Sequence, residues 1–360
     1  MNINDDKYEY ITKSRPHVVI LGAGASCAAI PKGDRNGKKI SAMRGFIDKL
    51  GLSDVLKSVS LKTQSDNLED IYMELDERSR NELTCQTVKE KLENCIRDYM
   101  SSYKIPCWLT VYDFLIMSLT AKDLIVTFNW DPLLVQAVGR IKFNFNTNIP
   151  KIVFLHGNVA VGYCENDNVV GNVGVRCIKC GKLLEPMKLL YPIKHKDYSK
   201  DAGIANSWDC FRQYLNKAYM ITIFGYSAPK SDVEALDMMK RAWGKVDDRK
   251  LEEIEIIDIK DENEAKESWS DFINTDHYSY YTHFFSSSLA MYPRRTCEAT
   301  FDRLMNCKWL LSDKGFKENM TYVDIYNITH ELIEEENSMK GQEKILSDPY
   351  ICKNVFCKKV

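Results

Sequence analysis

Several things are missing from this 360-residue chain, and each absence narrows what it can be. No apolar run approaches the roughly 18 residues that span a bilayer, so no transmembrane helix is expected. Neither charge dominates. Lys and Arg number 49 against 51 Asp and Glu, a net charge of −2, which argues against a broad nucleic-acid-binding surface. The opening residues MNINDDKYEYITKSRP hold no apolar stretch of the kind a secretory signal needs. The 12 cysteines therefore read as reduced thiols of a cytoplasmic protein, not as a disulfide framework. Only one pair, Cys177 and Cys180, has Cys-x-x-Cys spacing, which is half of a zinc ribbon. Cys164 is a candidate third ligand and His195 or Cys210 a fourth. Packing of reduced thiols under a loop is the preferred reading, and structural zinc the lesser one. Repeats and low-complexity segments are also absent.

What is present is organised around His17 to Asp34. The apolar run Val18–Leu21 leads straight into Gly22-Ala23-Gly24-Ala25-Ser26, which reads as a buried parallel strand, a glycine turn and a helix start. Glycines there let backbone approach a pyrophosphate, whose charge a helix start favours. Cys27 occupies the third position of G-x-G-x-x-G/A, so the dinucleotide fingerprint is incomplete. Residues 1–16 read as a loose arm, and 31–37 as a polar loop that can lie over a ligand. Apolar positions at helical spacing follow: Leu68, Ile71, Tyr72 and Leu75, with Ser65 or Asp66 as N-cap, then Val88, Leu92 and Cys95, then a helix capped by Thr110. These form a helical insertion over about 41–120. Further strands are expected at 123–127, 151–155, 219–224 and 254–259. Pro132 opens one helix, Trp208–Ala218 forms another, and Ser231 with Glu234 has capping-box spacing. The region 160–206 reads as irregular, and Asp324–Glu336 as a helix. The resulting fold class is α/β: a Rossmann-like parallel sheet with a helical insertion after the first strand and a C-terminal extension.

Five strands then end in small or polar residues, and in an open parallel sheet such ends converge on one crevice. That would gather Gly22–Ser26, Asn129, Asp131, His156, Gly225–Ser227 and Asp258. Four blocks, GAGAS (22–26) followed by IP (30–31), TFNWD (127–131), HG (156–157) and GYSAPKSD (225–232), resemble the sirtuin superfamily in its own order. They most resemble the sirtuin-like NAD hydrolases of bacterial antiphage defence, of the kind partnered with a HerA-type ATPase. LLYPIKHKDY (189–198) has the flavour of that branch. The resemblance implies residue roles. Gly22, Ala23, Gly24, Ser26, Pro31, Gly225, Ser227 and, more weakly, Asp258 would bind NAD, and Asn129 would stand beside the nicotinamide ribose. Asn129, His156 and Asp131 would be catalytic, with no metal among them.

The chemistry suits those residue types. Cleaving the nicotinamide–ribose bond leaves an oxocarbenium-like sugar. Asparagine can donate and accept at once, histidine can take a proton near neutrality, and aspartate can stabilise positive charge. The expected activity is NAD glycohydrolysis to nicotinamide and ADP-ribose by a defence effector that depletes NAD. The expected setting is a homo-oligomer bound to a HerA-like ATPase, with no membrane and no direct nucleic-acid contact. Residues 1–290 would form the catalytic domain and 291–360 a helical extension and assembly surface. The alternatives are an NAD-dependent protein deacylase, against which the missing second cysteine pair argues, and a non-catalytic nucleotide-binding subunit. Three readings stand outside the four blocks. Asp232 is expected only to cap a helix. Arg294-Arg295 is expected at an interface or in salt bridges. The aromatic run Tyr278–Phe285 is expected to pack at a subunit interface.

Overall fold

A computed structural model of the chain describes residues 10–352 apart from 11, 42, 146, 194–195, 229–231, 312 and 340–344. The sheet begins with His17–Leu21 (β1), whose five residues are all buried, as a strand covered on both faces requires. It pairs in parallel with Leu124–Thr127 (β2) and, on its other side, with Met220–Phe224 (β7). Lys151–Phe154 (β3) extends the sheet beyond β2, while Glu253–Ile257 (β8) and Tyr278–Tyr281 (β9) extend it beyond β7. The order is β3-β2-β1-β7-β8-β9, all parallel, which is the expected α/β class.

Register turns this topology into a site. Leu21 pairs with both Thr127 and Phe224, Thr127 with Phe154, and Phe224 with Ile257. The strands therefore end level, and Gly22, Phe128, Leu155, Gly225 and Asp258 follow side by side along one edge. The direction of strand progression reverses between β1 and β7, the place where an open parallel sheet leaves a crevice.

Alternation along β1 divides the core. Val18 and Ile20 face a layer built by Ala202–Lys217, Val233–Trp243 and Glu262–Trp269, with Trp208, Trp243 and Trp269 at its centre. Val19 and Leu21 face the other layer, made by the helix Ala23–Ala29, the helix Val111–Ser118 and the helix Leu133–Asn144. The expected insertion is thus two things. Residues up to about 101 form a separate apolar cluster, in which Leu68, Ile71 and Leu75 meet Val88, Leu92 and Ile96 from the helices Leu68–Ser79 and Leu83–Ser101. Val111–Ser118 belongs to the sheet. The N-cap of Leu68–Ser79 is Asn67, whose Oδ1 accepts from the Glu69 N–H at 2.9 Å, in place of Ser65 or Asp66.

Other expectations are corrected. Region 160–206 is not irregular throughout: Val161–Cys164 (β4), Val169–Asn172 (β5) and Glu185–Pro186 (β6) form a small antiparallel sheet in the order β5-β4-β6. The described part of the N-terminal arm is tied down, through Lys13 Nζ to Asp302 (3.1 Å) and Arg15 to Glu252 (2.6 Å). The aromatic run supplies β9, an edge strand whose residues stay half-buried, while Phe284 is buried beneath the sheet and Phe285 packs edge-on against it. Arg294 and Arg295 are buried and clasp Glu335 and Glu336 of the helix Tyr322–Ser338, the salt-bridge alternative of the two expected for them. From the expected extension, Thr296 Oγ1 meets His17 Nδ1 at 2.8 Å, and Phe316 and Ile325 pack under the sheet. Among the described residues no cysteine is paired, and no helix is long and apolar enough to cross a membrane.

Candidate active site at the strand ends

The two glycine turns touch backbone to backbone. Gly24 N–H donates to Gly225 O at 2.9 Å, and Gly22 N–H to Phe224 O at 3.0 Å. A Cβ on Gly24 would lie 2.7 Å from Gly225 Cα, so these glycines are required by each other as well as by any ligand. Among the described residues the N–H groups of Ala23 and Ser227 are given to no acceptor, leaving them for whatever fills the cleft.

Ser26 is buried at the hub of the next shell. Its Oγ lies 2.7 Å from Asp131 Oδ2, 2.7 Å from the Tyr112 hydroxyl and 3.0 Å from Asn129 Nδ2. Asn129 also gives Nδ2 to Gly22 O at 2.7 Å. Its amide is thereby locked with Oδ1 as the remaining acceptor, which takes no bond among the described residues. Asp131 spends its second oxygen on the Leu133 N–H (3.1 Å), so it caps a helix and holds Ser26 together. Burial raises its carboxyl above the usual range, and those hydrogen bonds oppose the rise. Asn158, just after the HG pair, donates to Asp131 O at 2.6 Å and to Asn129 O at 3.2 Å. It fixes the loop that carries both side chains, a role nothing in the four blocks signalled.

His156 follows β3 and is 6% exposed, packed edge-on against Phe128 with ring centres 4.8 Å apart. Gly157 makes room behind it. It has φ +77°, and a Cβ there would sit 1.9 Å from Lys188 O, so only glycine lets the 188–190 segment cross and Leu190 N–H reach His156 O (2.9 Å). Burial pushes the imidazole down to about 3, Asp232 pulls it up and Lys196 pushes it down, so the ring is neutral near pH 7. Its Nε2 is buried without a hydrogen-bond partner among the described residues, and Asp232 Oδ1 stands 3.7 Å away.

Asp232 overturns the capping expectation. At the start of Val233–Trp243 its side chain makes no cap bond. It accepts instead from Lys196 Nζ on one oxygen and from the Tyr226 hydroxyl at 2.8 Å on the other. Burial alone would raise this carboxyl, but His156 and Lys196 hold it below its ordinary value. Ser231 lies outside the described residues, and the described partner of Glu234 is the Lys196 N–H, from which it accepts at 2.9 Å.

One cleft of about 450 Å³ gathers Gly22, Ala23, Gly24, Ser26, Asn129, Asp131, His156, Gly225, Ser227 and Asp258. Of the residues singled out in the sequence, Pro31 alone does not line it. Its loop turns toward the helical cluster, where Asp34 accepts from the Lys104 N–H at 2.9 Å. Ile40, Ser41 and Met43 reach the cleft in its place.

No protein-family model matches the chain, and no curated protein does. Solved structures similar to it include a Sir2 homologue in complex with NAD, 16% identical, with 85% of this chain and 94% of that one covered and a TM-score of 0.37. A Sir2 bound to acetylated peptide is 14% identical, with 85% of this chain and 99% of that one covered and a TM-score of 0.36.

The small antiparallel sheet carries a second cluster. The ligand atoms of Cys164, Asp167, Cys177 and Cys180 all lie within 4.8 Å of one another. Cys164 Sγ is 3.6 Å from Cys180 Sγ, close to the ~3.8 Å edge of a tetrahedron with Zn–S bonds of ~2.3 Å. The donor set therefore fits a closed structural zinc site. The fourth donor within reach is Asp167; Cys210 sits on the helix Ala202–Lys217, and His195 lies outside the described residues. The signal was legible: Cys164-x-x-Asp167 has the spacing of Cys177-x-x-Cys180, so the pair missing by cysteine count is present with an aspartate in it.

Proposed function

We propose that the chain is an NAD glycohydrolase: NAD and water give ADP-ribose, nicotinamide and a proton. The observation that carries this is the meeting of Asn129 Oδ1 and the neutral His156 in one cleft walled by two glycine turns. The pyrophosphate would lie against the Ala23 and Ser227 N–H groups, with Gly22, Gly24 and Gly225 allowing its approach and Asp258 toward the adenosine ribose. As the bond from the ribose carbon to the nicotinamide nitrogen breaks, its electron pair leaves with nicotinamide and the sugar becomes positive. Asn129 Oδ1 orients a ribose hydroxyl or the incoming water, and the buried charge of Asp131 favours the cation. Water oxygen bonds to the ribose carbon and its proton passes to His156. Asp232 then faces an imidazolium, which makes it the acid that holds and stabilises the ring.

The zinc-type cluster Cys164, Asp167, Cys177 and Cys180 would fold the small sheet and supply no chemistry in the cleft. It also removes the ground on which a deacylase was set aside, so NAD-dependent deacylation is the second reading. Incubating the chain with NAD, with and without an acylated peptide, separates the two. The hydrolase reading expects nicotinamide and ADP-ribose in equal amounts without peptide. Turnover only with peptide, together with acyl transfer to ADP-ribose, contradicts it.

The reading extends to a cytoplasmic antiphage effector, homo-oligomeric and bound to a HerA-like ATPase, with 1–290 catalytic and 291–360 for assembly. Exposed Trp309, Val323 and Tyr326 in that last stretch are the kind of apolar surface an assembly contact uses.

A further inference from the structure

A second cavity, about 610 Å³, opens on the far side of the segment that walls the cleft. It lies between the helices Leu68–Ser79 and Leu83–Ser101 on one side and residues 188–191, 193, 196–197 and 200 on the other. Six cations line it, Arg80, Lys89, Arg97, Lys188, Lys196 and Lys200, against three carboxylates. All three carboxylates are engaged: Asp76 receives Lys89 Nζ at 2.6 Å with Arg80 at 3.7 Å, Glu93 receives the Tyr72 hydroxyl at 2.5 Å, and Asp197 accepts from the Ser199 N–H at 3.0 Å. Arg97 gives its guanidinium to a carbonyl, Met187 O, at 3.2 Å. Among the described residues Arg97, Lys188 and Lys200 have no carboxylate within 4 Å. The cavity thus collects positive charge that the protein itself does not neutralise.

We propose that this cavity binds a multiply charged, phosphate-bearing small molecule. Its volume falls within the ~300–1,000 Å³ of small-ligand sites. Several separated cations, an arginine among them, match the oxygens of a polyphosphate better than a single carboxylate. The site is coupled to the catalytic one, a step that rests on the function proposed above. Leu190 and Lys196 line both cavities, and Lys196 Nζ reaches through to Asp232. An anion on the outer side competes for Lys196, leaves more of the Asp232 charge to His156 and raises turnover.

ATP is a suitable probe, titrated calorimetrically into the full-length chain. The double charge reversal Lys188→Glu with Lys200→Glu, both exposed positions, is expected to weaken binding at least tenfold. His156→Ala is expected to leave it within twofold, which keeps this test separate from the catalytic reading. In the unmodified chain, ATP should slow hydrogen exchange at 89–97 and 188–193, a readout that needs no variant. No binding, equal affinity in the reversed variant, or protection confined to the glycine turns overturns the site. ATP is also expected to raise NAD turnover at least threefold in the unmodified chain and not in the reversed one. Binding with unchanged turnover overturns the coupling. Absence of turnover under every condition contradicts the proposed function and leaves the binding result standing.

Discussion

Asp232 and His156 show how much of the site is written in pairs of residues far apart in the chain. Asp232 read as a cap because the next residues start a helix, and only the fold brings Lys196 and His156 to it. Replacing Asp232 alone would strand the buried Lys196 charge, a loss of about 3–5 kcal/mol for a broken buried pair. The informative variant is therefore Asp232→Asn with Lys196→Met. It is expected to stay folded and to lose about 10–100-fold in kcat with KM nearly unchanged, because the imidazolium forms only as the reaction proceeds. A second residue-scale expectation concerns acid. His17 lies within β1 between Thr222 and Thr296 hydroxyls, and burial, then Lys122, push it down to about 3; His156 is held equally low. Between pH 6.5 and 3 the unfolded chain takes up protons that the folded chain refuses. The contribution of these rings is thus complete above about 6.5 and is lost as pH falls. Melting temperatures measured from pH 7.5 to 5 should fall, and the slope should be shallower by about one proton in His17→Gln. An identical slope in both would contradict the assignment.

At the scale of elements, the parallel strands β1, β2, β3, β7 and β8 and most helices were legible, and the small antiparallel sheet was not. Apolar runs such as HVVIL and LIVT can only be buried strands or buried helix, and their glycine and polar ends decide between them. The sequence also carried the residues of the cleft, because strand ends in a parallel sheet must meet. Two things escaped it. The hairpin-like sheet at 161–186 has short strands with little alternation, and Pro31 belongs to a loop whose course is set by Asp34 and Lys104. Gly157 ties these levels together. Gly157→Ala places a methyl 1.9 Å from Lys188 O at a left-handed φ, so the 188–190 segment must move. That change is expected to lower thermal stability by the equivalent of about 1–2 kcal/mol or more and to reduce NAD turnover with it, measured by melting and by initial rates. Retention of both would mean the crossing is not needed. The cysteine cluster makes a separate expectation: the purified chain should hold about one zinc per chain, and a strong chelator should lower its melting temperature. A metal-free chain with unchanged melting would assign the thiols to packing alone.

For the molecule as a whole, one sheet organises two cavities that share a wall. The glycine turns after β1 and β7 meet at the cleft, the helical cluster up to about residue 101 closes over them, and Leu190 and Lys196 stand between the cleft and the basic cavity. Buried Arg294 and Arg295 hold the helix Tyr322–Ser338, and Thr296 ties their stretch to His17 of β1. Under the proposed function turnover must be restrained until it is needed, and both the shared wall and the exposed surface near Trp309 and Tyr326 offer places to do so. Assembly is accordingly expected to change turnover by about tenfold, or about 1.4 kcal/mol of barrier. The most direct test follows nicotinamide and ADP-ribose released from NAD by the chain alone and with the proposed HerA-like ATPase, for the unmodified protein, His156→Ala and Asn129→Ala, each checked for folding by circular dichroism. The account predicts equimolar products from the unmodified chain in at least one of the two settings and a loss of at least about 100-fold in both folded variants. Intact NAD in both settings, or cleavage by the folded variants at the unmodified rate, would contradict it.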